Sequence, residues 1–595
     1  MENVDTDRAS SENLKQLNFD DKEKEAIQLE INKMIKQNII ERTFRENNDI
    51  VSRIFTREKK DKKSLRIILN LKKLNLQLET EKFKMTSIRS TLDMITPNMF
   101  LGSIDLVQAY YSIPIHEEYK KYLKFWWEGE LFQFTCLPNG MCQAPFFFTK
   151  ILKPVYSNLH SKGHLSTYYL DDSLIMGDTV EECTKNMQDT LDLLNKLGFF
   201  VHKEKSSFIP SQCIEYLGFE INSLHMYVCL TKNRQEKLIK TCKLVKSMVT
   251  VSLQLLASMI GLMVASFVAI PIGKIYYRQL EREKIEGLKA KKGDWEQKIK
   301  LSSEAIKEID WWIDHADYKC KIDKGKPKAI ITTDASMTGF GAIYGKNKIN
   351  GLWMLNEKIN HINYLELLAV FYALKAFGNE FHNIHVRFRV DNMTTLHLIN
   401  NLGTCRSDQL NKLTKKLWQY ALKKGLWLSA EYVPTDKNEA DILSRKINID
   451  AEWKLNVSFF EYVIGKLNFT PNIDLFATRL NCQLPVFASY APDPFATYVD
   501  AFNLDWSEFK FFAFPPFCLL LKVLRKIRED KATGILILPI WTAQPFYSVA
   551  MKLLQGTPII LSPRRNLLIM PDHPEMEHRL CRKMSLLCGI FSGKN

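Results

Sequence analysis

Two adjacent aspartates, Asp171 and Asp172, stand between the β-prone segment STYY and the apolar SLIM, and no other feature narrows the fold as much. The natural reading is strand, turn, strand, with both acids at the tip of a hairpin. Like charges in contact resist joint ionisation, so such a tip is costly unless a cation neutralises it. Earlier in the chain, Asp105 closes another apolar strand, FLGSID. A hairpin paired beside that strand brings three carboxylates to one set of strand ends. Such a trio can hold two hard cations about 3.5–4 Å apart, as phosphoryl transfer requires. An aspartate pair alone is more often a solvated turn, so the neighbouring segments have to decide.

The chain has 595 residues, enough for several domains at roughly 150 residues each. With 46% hydrophobic and 25% charged residues it is globular in composition, which excludes wholesale disorder. Lysine plus arginine number 82 against 67 acids, a net charge of +15. That balance makes a polyanion, above all nucleic acid, the first partner to consider. The 12 cysteines include no CxxC pair and form no disulfide framework, which fits a reducing compartment. The N-terminus, MENVDTDRASSENLKQ, is polar and has no secretory apolar core. An intracellular protein, cytoplasmic or nuclear and not secreted, is therefore expected. The apolar stretch 251–273 is interrupted by Ser252, Gln254, Ser258, Ser266 and Pro271. It reads as a buried helix rather than a membrane span, and no membrane partner is expected.

The pattern along the chain is α+β and multidomain. After a polar tail over 1–20, residues 21–42 carry apolar positions at helical spacing. Between Arg53 and Arg89, 12 basic residues face Glu58, Asp61, Glu79 and Glu81, a local charge of +8 around TREKKDKKSLRIILNLKKLN. A charged hairpin facing phosphates is the reading favoured there over a merely solvated one. Short strands and helices alternate over about 95–230, and 231–325 is helical and lysine-rich. A second strand-rich unit opens at AIITTDAS and closes near Arg445. The remainder, rich in Pro and Phe, suggests a further α/β unit.

The company of the aspartates carries a family resemblance. The chain reads in order RIILNLKKLN, SIDLVQAYYSIPI, LPNGMCQAPFFFTK, YLDD, LGFFVHKEKSSF and YLGFEI. This succession resembles the fingers and palm of retroelement reverse transcriptases. The resemblance implies that Asp105, Asp171 and Asp172 are the polymerase's metal ligands. It makes Tyr110 the steric gate against a ribose 2′-OH. It gives the incoming triphosphate to Arg66 and to Lys59 or one of its lysine neighbours, a guanidinium fork and a point charge. Asn139 and Gly140 match the loop under the nucleotide and primer end, and Lys205 matches the lysine that protonates the leaving pyrophosphate. Read from the residues alone, Tyr110 is also compatible with a core tyrosine and Lys205 with a surface lysine. Asn70 stands where relatives often have Asp, so an acidic role there is lost. The helical stretch after YLGFEI falls at the thumb, whose basic residues would line a primer–template backbone without sequence preference.

A second carboxylate set lies downstream. Asp334 follows the strand IITTD, Glu366 lies on the helix YLELLAVFYAL, Asp391 ends the strand FRVD, and Asp441 begins ADILSR. Each alone is unremarkable; together they are the inventory of another two-metal site. TDAS with GFGA, ELLAV, VDN and ADILSR resemble the RNase H domain of the same elements. The resemblance implies that Asp334, Glu366, Asp391 and Asp441 bind two magnesium ions and cut RNA paired with DNA. Tyr432 stands where many relatives have a histidine, which puts the rate in question more than the activity.

The segments IDLFATRLNCQLPVFASYAPDPF, FAFPPF and GILILPIWTAQPFY resemble the C-terminal domain of DIRS-type retrotransposon polyproteins, itself similar to phage adenine-methylating enzymes. Active amino-methyltransferases carry Asp or Asn before Pro-Pro-aromatic. Here Phe514 precedes Pro515-Pro516-Phe517, and phenylalanine cannot accept the hydrogen bond needed. No glycine-rich turn near Asp474 offers itself to a methyl donor, so a degenerate, nucleic-acid-contacting fold is expected.

The resemblance thus implies a right-hand polymerase followed by an RNase H-like α/β domain and a C-terminal α/β methyltransferase-like domain. The boundaries expected are a mobile tail over 1–20, fingers and palm over 21–230, thumb and connection over 231–325, RNase H over 326–446 and the C-terminal domain over 447–595. The function implied is RNA-directed DNA polymerase with ribonuclease H activity. Its partners would be an RNA template, a DNA primer, the RNA–DNA hybrid and dNTPs, with Mg2+, replaceable by Mn2+, two per site. A separately encoded tyrosine recombinase is the companion such elements typically have. The alternative is a catalytically inactive nucleic-acid-binding protein derived from a retroelement.

Overall fold

The computed structural model describes residues 19–58, 65–79, 81, 83–290, 292–445, 452–571 and 576–594. Lys59, its lysine neighbours, the tail over 1–18 and the junction 446–451 lie outside the described residues. The chain forms two compact units. One comprises Met1–Val249, Gly261–Pro271 and Ile309–Asp323; the other comprises Thr250–Ile260, Ile272–Glu308 and Lys324–Asn595. The segment 231–325 is thus divided between them.

In the first unit, helix Asp21–Lys36 begins at a capping box in which the Asp20 side chain accepts from the Glu23 amide, and it buries Ile27, Ile31 and Met34 along one stripe. An antiparallel hairpin follows, β1 (Ile54–Glu58) and β2 (Leu65–Leu69), with Arg57 opposite Arg66. The central sheet contains β3 (Phe100–Asp105), β4 (Leu165–Tyr169), β5 (Asp172–Gly177) and β6 (Ser207–Ser211), in the antiparallel order β4-β5-β3-β6. Helices α1 (Ala144–Ser161) and α2 (Val180–Lys196) supply Phe148, Leu152, Leu159, Met187 and Leu194 to one core with Ile104 and Ile175 of the sheet.

The apolar stretch 251–273 folds as helix Leu253–Ala265 running into a 3-10 turn at Pro271–Ile275, and Leu256, Met259 and Met263 are buried. No helix among the described residues is long and apolar enough to cross a membrane.

The second unit holds two mixed sheets. The first comprises β7 (Ala329–Ala335), β8 (Gly339–Tyr344), β9 (Asn347–Leu352), β10 (His385–Val390) and β11 (Trp427–Tyr432), ordered β9-β8-β7-β10-β11. The first three form an antiparallel meander, and β10 and β11 run parallel to β7. Helix α3 (Ile362–Phe377) connects meander to parallel strands and is apolar on nearly every side, burying Leu365 through Val370 among others. A helix of that kind belongs inside a domain. Helices α4 (Asp408–Lys423) and α5 (Asp441–Arg445) complete this layer. The second sheet comprises β12 (Ile473–Asp474), β13 (Lys510–Ala513), β14 (Thr533–Pro539), β15 (Leu554–Leu561) and β16 (Leu586–Ser592), ordered β12-β13-β14-β16-β15. Its first three strands are parallel, and β16 runs antiparallel between β14 and β15. The β13–β14 crossover is helix α6 (Leu520–Glu529), which buries Leu520, Val523, Leu524 and Ile527, the i, i+3, i+4, i+7 stripe of an amphipathic helix.

Candidate active sites

In the central sheet of the first unit, β3 and β5 pair so that Asp105 lies directly opposite Asp172. Cross-strand partners share a face, so both acids project from the same strand ends, though Asp105, Asp171 and Asp172 do not bring three oxygens within 4.8 Å of one another. Asp171 occupies the turn between β4 and β5, after Leu170 at φ +55. A branched residue rarely adopts that left-handed conformation, which costs about 1–2 kcal/mol. The turn is held by the Asp171 carbonyl, which accepts from the Leu106 amide at 3.0 Å. Burial, then the charge of Asp105, pushes the Asp171 carboxyl up, and the positive charges of Arg66 and Lys205 oppose the shift. Those two basic side chains therefore reach the field of the aspartates.

Lys205 stands with Nζ 3.9 Å from Asp105 Oδ1. It is brought there by a fold-back of the segment 202–206: the Asp105 amide donates to Ser206 Oγ at 3.0 Å, and the Asp105 carbonyl accepts from the His202 amide at 2.8 Å. The Tyr110 hydroxyl is pushed up by burial and then by Asp171, and its ring stands edge-on to Phe148, 5.7 Å between centroids. It is thus packed into the core and adjacent to the acids. Asn139 donates to the Tyr111 hydroxyl at 2.9 Å. Gly140 has φ +108, and a Cβ there would come within 2.5 Å of the Leu69 carbonyl oxygen, so only glycine lets this loop lie against β2. The Gly140 carbonyl accepts from Asn75 Nδ2 at 2.9 Å.

The second site is more enclosed. Asp334, Glu366 and Asp391 each bring a carboxylate oxygen to within 4.8 Å of the others, the one such group of three acidic, His or Cys ligands among the described residues. Asp334 comes from β7, Glu366 from α3, and Asp391 directly follows β10. Burial and then the Asp391 and Asp441 charges push Asp334 up to about 6, against the hydrogen bond from Ser444. Burial, then Asp334 and Asp391, pushes Glu366 up to about 9. Glu366 Oε2 is buried with no hydrogen-bond partner among the described residues. Oxygen-only donors, crowded, buried and partly unpartnered, are what a hard divalent cation such as magnesium requires. Asp441 contributes its charge to this field, but its carboxylate pairs with Arg445, Oδ1 to Nη2 2.7 Å. It stands beside the trio rather than within it.

Sequence reasoning did not single out three residues that hold the trio in place. Asp334 accepts from Asn438 Nδ2 at 3.1 Å and from Ser444 Oγ at 2.5 Å, and Asp391 accepts from Thr435 Oγ1 at 2.9 Å. Gly341 lies opposite Asp334 in the β7–β8 register. A Cβ at Gly341 would meet Leu443, Ala440 and Ser444 atoms at 2.6–2.8 Å, so the glycine is what lets α5 settle close enough for Ser444 to reach Asp334. The exposed Tyr432 ends β11, opposite Val390 and one residue from Asp391 in that register.

Residues 57–221 match the family described as "Reverse transcriptase (RNA-dependent DNA polymerase)". This stretch is a reverse transcriptase domain. It is of the kind carried by retrotransposon and retroviral Pol polyproteins. The retrovirus-related Pol polyprotein from transposon 412 of Drosophila melanogaster is 25% identical over 197 residues, which is 33% of this chain and 16% of that protein. The Pol polyprotein from transposon gypsy of the same organism is 24% identical over 439 residues, 70% of this chain and 40% of that one. The match thus spans less than half the length of either relative. Among solved structures, a foamy viral protease–reverse transcriptase in complex with double-stranded DNA is 18% identical, with a TM-score of 0.46 and 72% of each chain covered.

The reverse transcriptase domain contains Asp105, Asp171, Asp172, Tyr110, Arg66, Asn139, Gly140 and Lys205. Its boundary at 221 falls before the second carboxylate trio, which lies on its own sheet in the second unit. In the C-terminal sheet, Asp474 ends β12 fully buried and accepts from the Gln483 amide at 2.9 Å, and burial pushes it up to about 7. Phe514 and Phe517 follow β13, with Phe517 5.1 Å from the Trp541 ring.

Proposed function

We propose that the chain is an RNA-directed DNA polymerase with ribonuclease H activity, from a retroelement of DIRS type. The observation that carries the polymerase reading is the register of Asp105 against Asp172 with Asp171 at the hairpin tip beside them. In this reading Asp105, Asp171 and Asp172 hold magnesium, with dNTPs, an RNA template and a DNA primer as partners. Bound there, the metal supplies charge stabilisation to the phosphate oxygens. The chain's own groups do the remaining work. Arg66, with Lys59 or a neighbouring lysine, binds the triphosphate, and the loop at Asn139 and Gly140 supports it. Tyr110, packed edge-on against Phe148 and within the field of Asp171, would be the gate against a ribose 2′-OH. Lys205, with Nζ 3.9 Å from Asp105 Oδ1, would give its proton to the pyrophosphate that leaves when the primer 3′-OH attacks the α-phosphate.

The ribonuclease reading rests on the buried trio Asp334, Glu366 and Asp391, with Asp441 at its edge. Magnesium held there would activate water against RNA in a hybrid. Asn438, Ser444 and Thr435 orient the carboxylates. Tyr432 stands in place of the histidine that would assist product release or proton transfer, which bears on the rate more than on the activity. The C-terminal sheet is read as a degenerate methyltransferase-like domain, since Phe514 cannot accept from an amino group. The protein is taken to act inside the cell, with a tyrosine recombinase as separately encoded companion. A binding protein without catalysis is the rival, and the unpartnered Glu366 Oε2 opposes it, because a binder gains nothing from buried unpaired acid.

Two activities on separate sites are tested by crossed variants. Asp172→Asn is expected to stop primer extension and retain hybrid cleavage, and Glu366→Gln to do the reverse. Loss of both activities in either variant would contradict the assignment.

A further inference from the structure

Loops of the C-terminal sheet reach into the RNase H-like layer, where Phe495 stands edge-on to Tyr372 at 5.5 Å and Arg479 makes the polar contacts. Arg479 lies in the loop after β12, where its amide donates to Asp493 Oδ2 at 3.1 Å. Its side chain is only 3% exposed. The guanidinium donates from Nη1 to both carboxylate oxygens of Glu357, each at 3.1 Å, and from Nη2 to the Leu352 carbonyl at the end of β9. It also lies over two rings, 4.9 Å from the Tyr372 centroid and 5.5 Å from that of Phe340. A buried guanidinium satisfied by a bidentate carboxylate, a carbonyl and two aromatic faces is fixed in place.

The partners it fixes belong to the elements of the hybrid-cleaving centre. Phe340 is on β8, directly before Gly341, which opposes Asp334. Tyr372 is on α3 with Glu366, and its hydroxyl donates to Glu357. From Trp353, directly after β9, a hydrogen-bonded path runs to the carboxylate trio. Trp353 Nε1 donates to the Ser336 carbonyl at 2.8 Å, Ser336 Oγ to the Ser444 carbonyl at 2.8 Å, and Ser444 Oγ to Asp334. We propose that Arg479 is a positioning residue for this centre, clamping β8, β9 and α3 so that Asp334 and Glu366 converge. The proposal rests on the ribonuclease reading above. It makes the C-terminal domain a working part of RNA cleavage, whatever became of its own chemistry.

The test uses Arg479→Met and Arg479→Lys in the full chain, measuring hybrid cleavage, primer extension and amide hydrogen exchange over 339–344 and 362–377. The clamp predicts a kcat for hybrid cleavage at least tenfold lower in Arg479→Met, with KM for the hybrid changed less than twofold. It also predicts partial recovery in Arg479→Lys, unchanged primer extension, and faster exchange in both segments. Unaltered kcat in a folded Arg479→Met protein overturns the proposal, as does an equal loss of extension in both variants. If the wild type cleaves no hybrid, the ribonuclease reading fails, and exchange alone decides: faster exchange in the variants sustains the clamp, and unchanged protection overturns it.

Discussion

At the scale of single residues, two glycines govern the two sites separately. Gly341→Val pushes a branched side chain into α5, where even a Cβ would lie 2.6–2.8 Å from three atoms. Hybrid cleavage is expected to fall at least tenfold while primer extension stays within twofold, as paired assays on one preparation would show. Gly140→Ala must adopt φ +108 and meet the Leu69 carbonyl oxygen. Its expected effect is the converse: a dNTP KM raised about tenfold with cleavage retained. The placing of Asp105 and Asp391 at strand ends was legible in the sequence, because the apolar strand that leads to each can be read. Ser206, Asn438 and Ser444 were not. Short polar side chains in loops carry no periodic signature, and their partners lie 101, 104 and 110 residues away. Glycine within GFGA was legible as a motif, but its reason, the close approach of α5, exists only in the packed structure.

At the scale of elements, period-two and period-3.6 patterns served well. FLGSID, AIITTDA and EECTKNMQDTLDLLNK form a strand, a strand and a helix as their alternation requires. The stretch 251–273 looked like one long apolar run and is instead a 13-residue helix, Leu253–Ala265, with the chain turning before Pro271. Capping between elements was invisible. Glu308, on helix Ser303–Asp314, accepts from the Gln279 and Leu280 amides at 3.1 and 3.2 Å, satisfying the orphan donors that open helix Arg278–Ala290. Burial pushes its carboxyl from near 4.5 up to about 7, against the pull of Lys415. An acid whose folded value lies above its unfolded one gives stability that is fully present below about pH 4.5 and lost as pH rises through about 7. A contribution on the order of 3 kcal/mol is at stake. Thermal unfolding across that window should lose less stability in Glu308→Gln than in the wild type. Identical slopes would contradict this role.

At the scale of the whole molecule, a net charge of +15 predicts that the proposed binding of a duplex is ionic. Duplex binding should weaken by orders of magnitude between about 50 and 200 mM salt, with little dependence on base sequence, as titrations on two unrelated duplexes would reveal. The succession of sheets along the chain was legible because each has its own strand-like segments in sequence order. The division of 231–325 between two compact units and the Arg479 clamp were not, since both depend on contacts between segments far apart in the chain. The central claim, that Asp105, Asp171 and Asp172 form a working polymerase centre, is tested most directly by primer extension on an RNA template with dNTPs and magnesium, comparing wild type with Asp171→Asn. Extension by the wild type that vanishes in a variant still binding the duplex is the result predicted. Failure of the folded, duplex-bound wild type to extend with either magnesium or manganese, or undiminished extension by the variant, would contradict it.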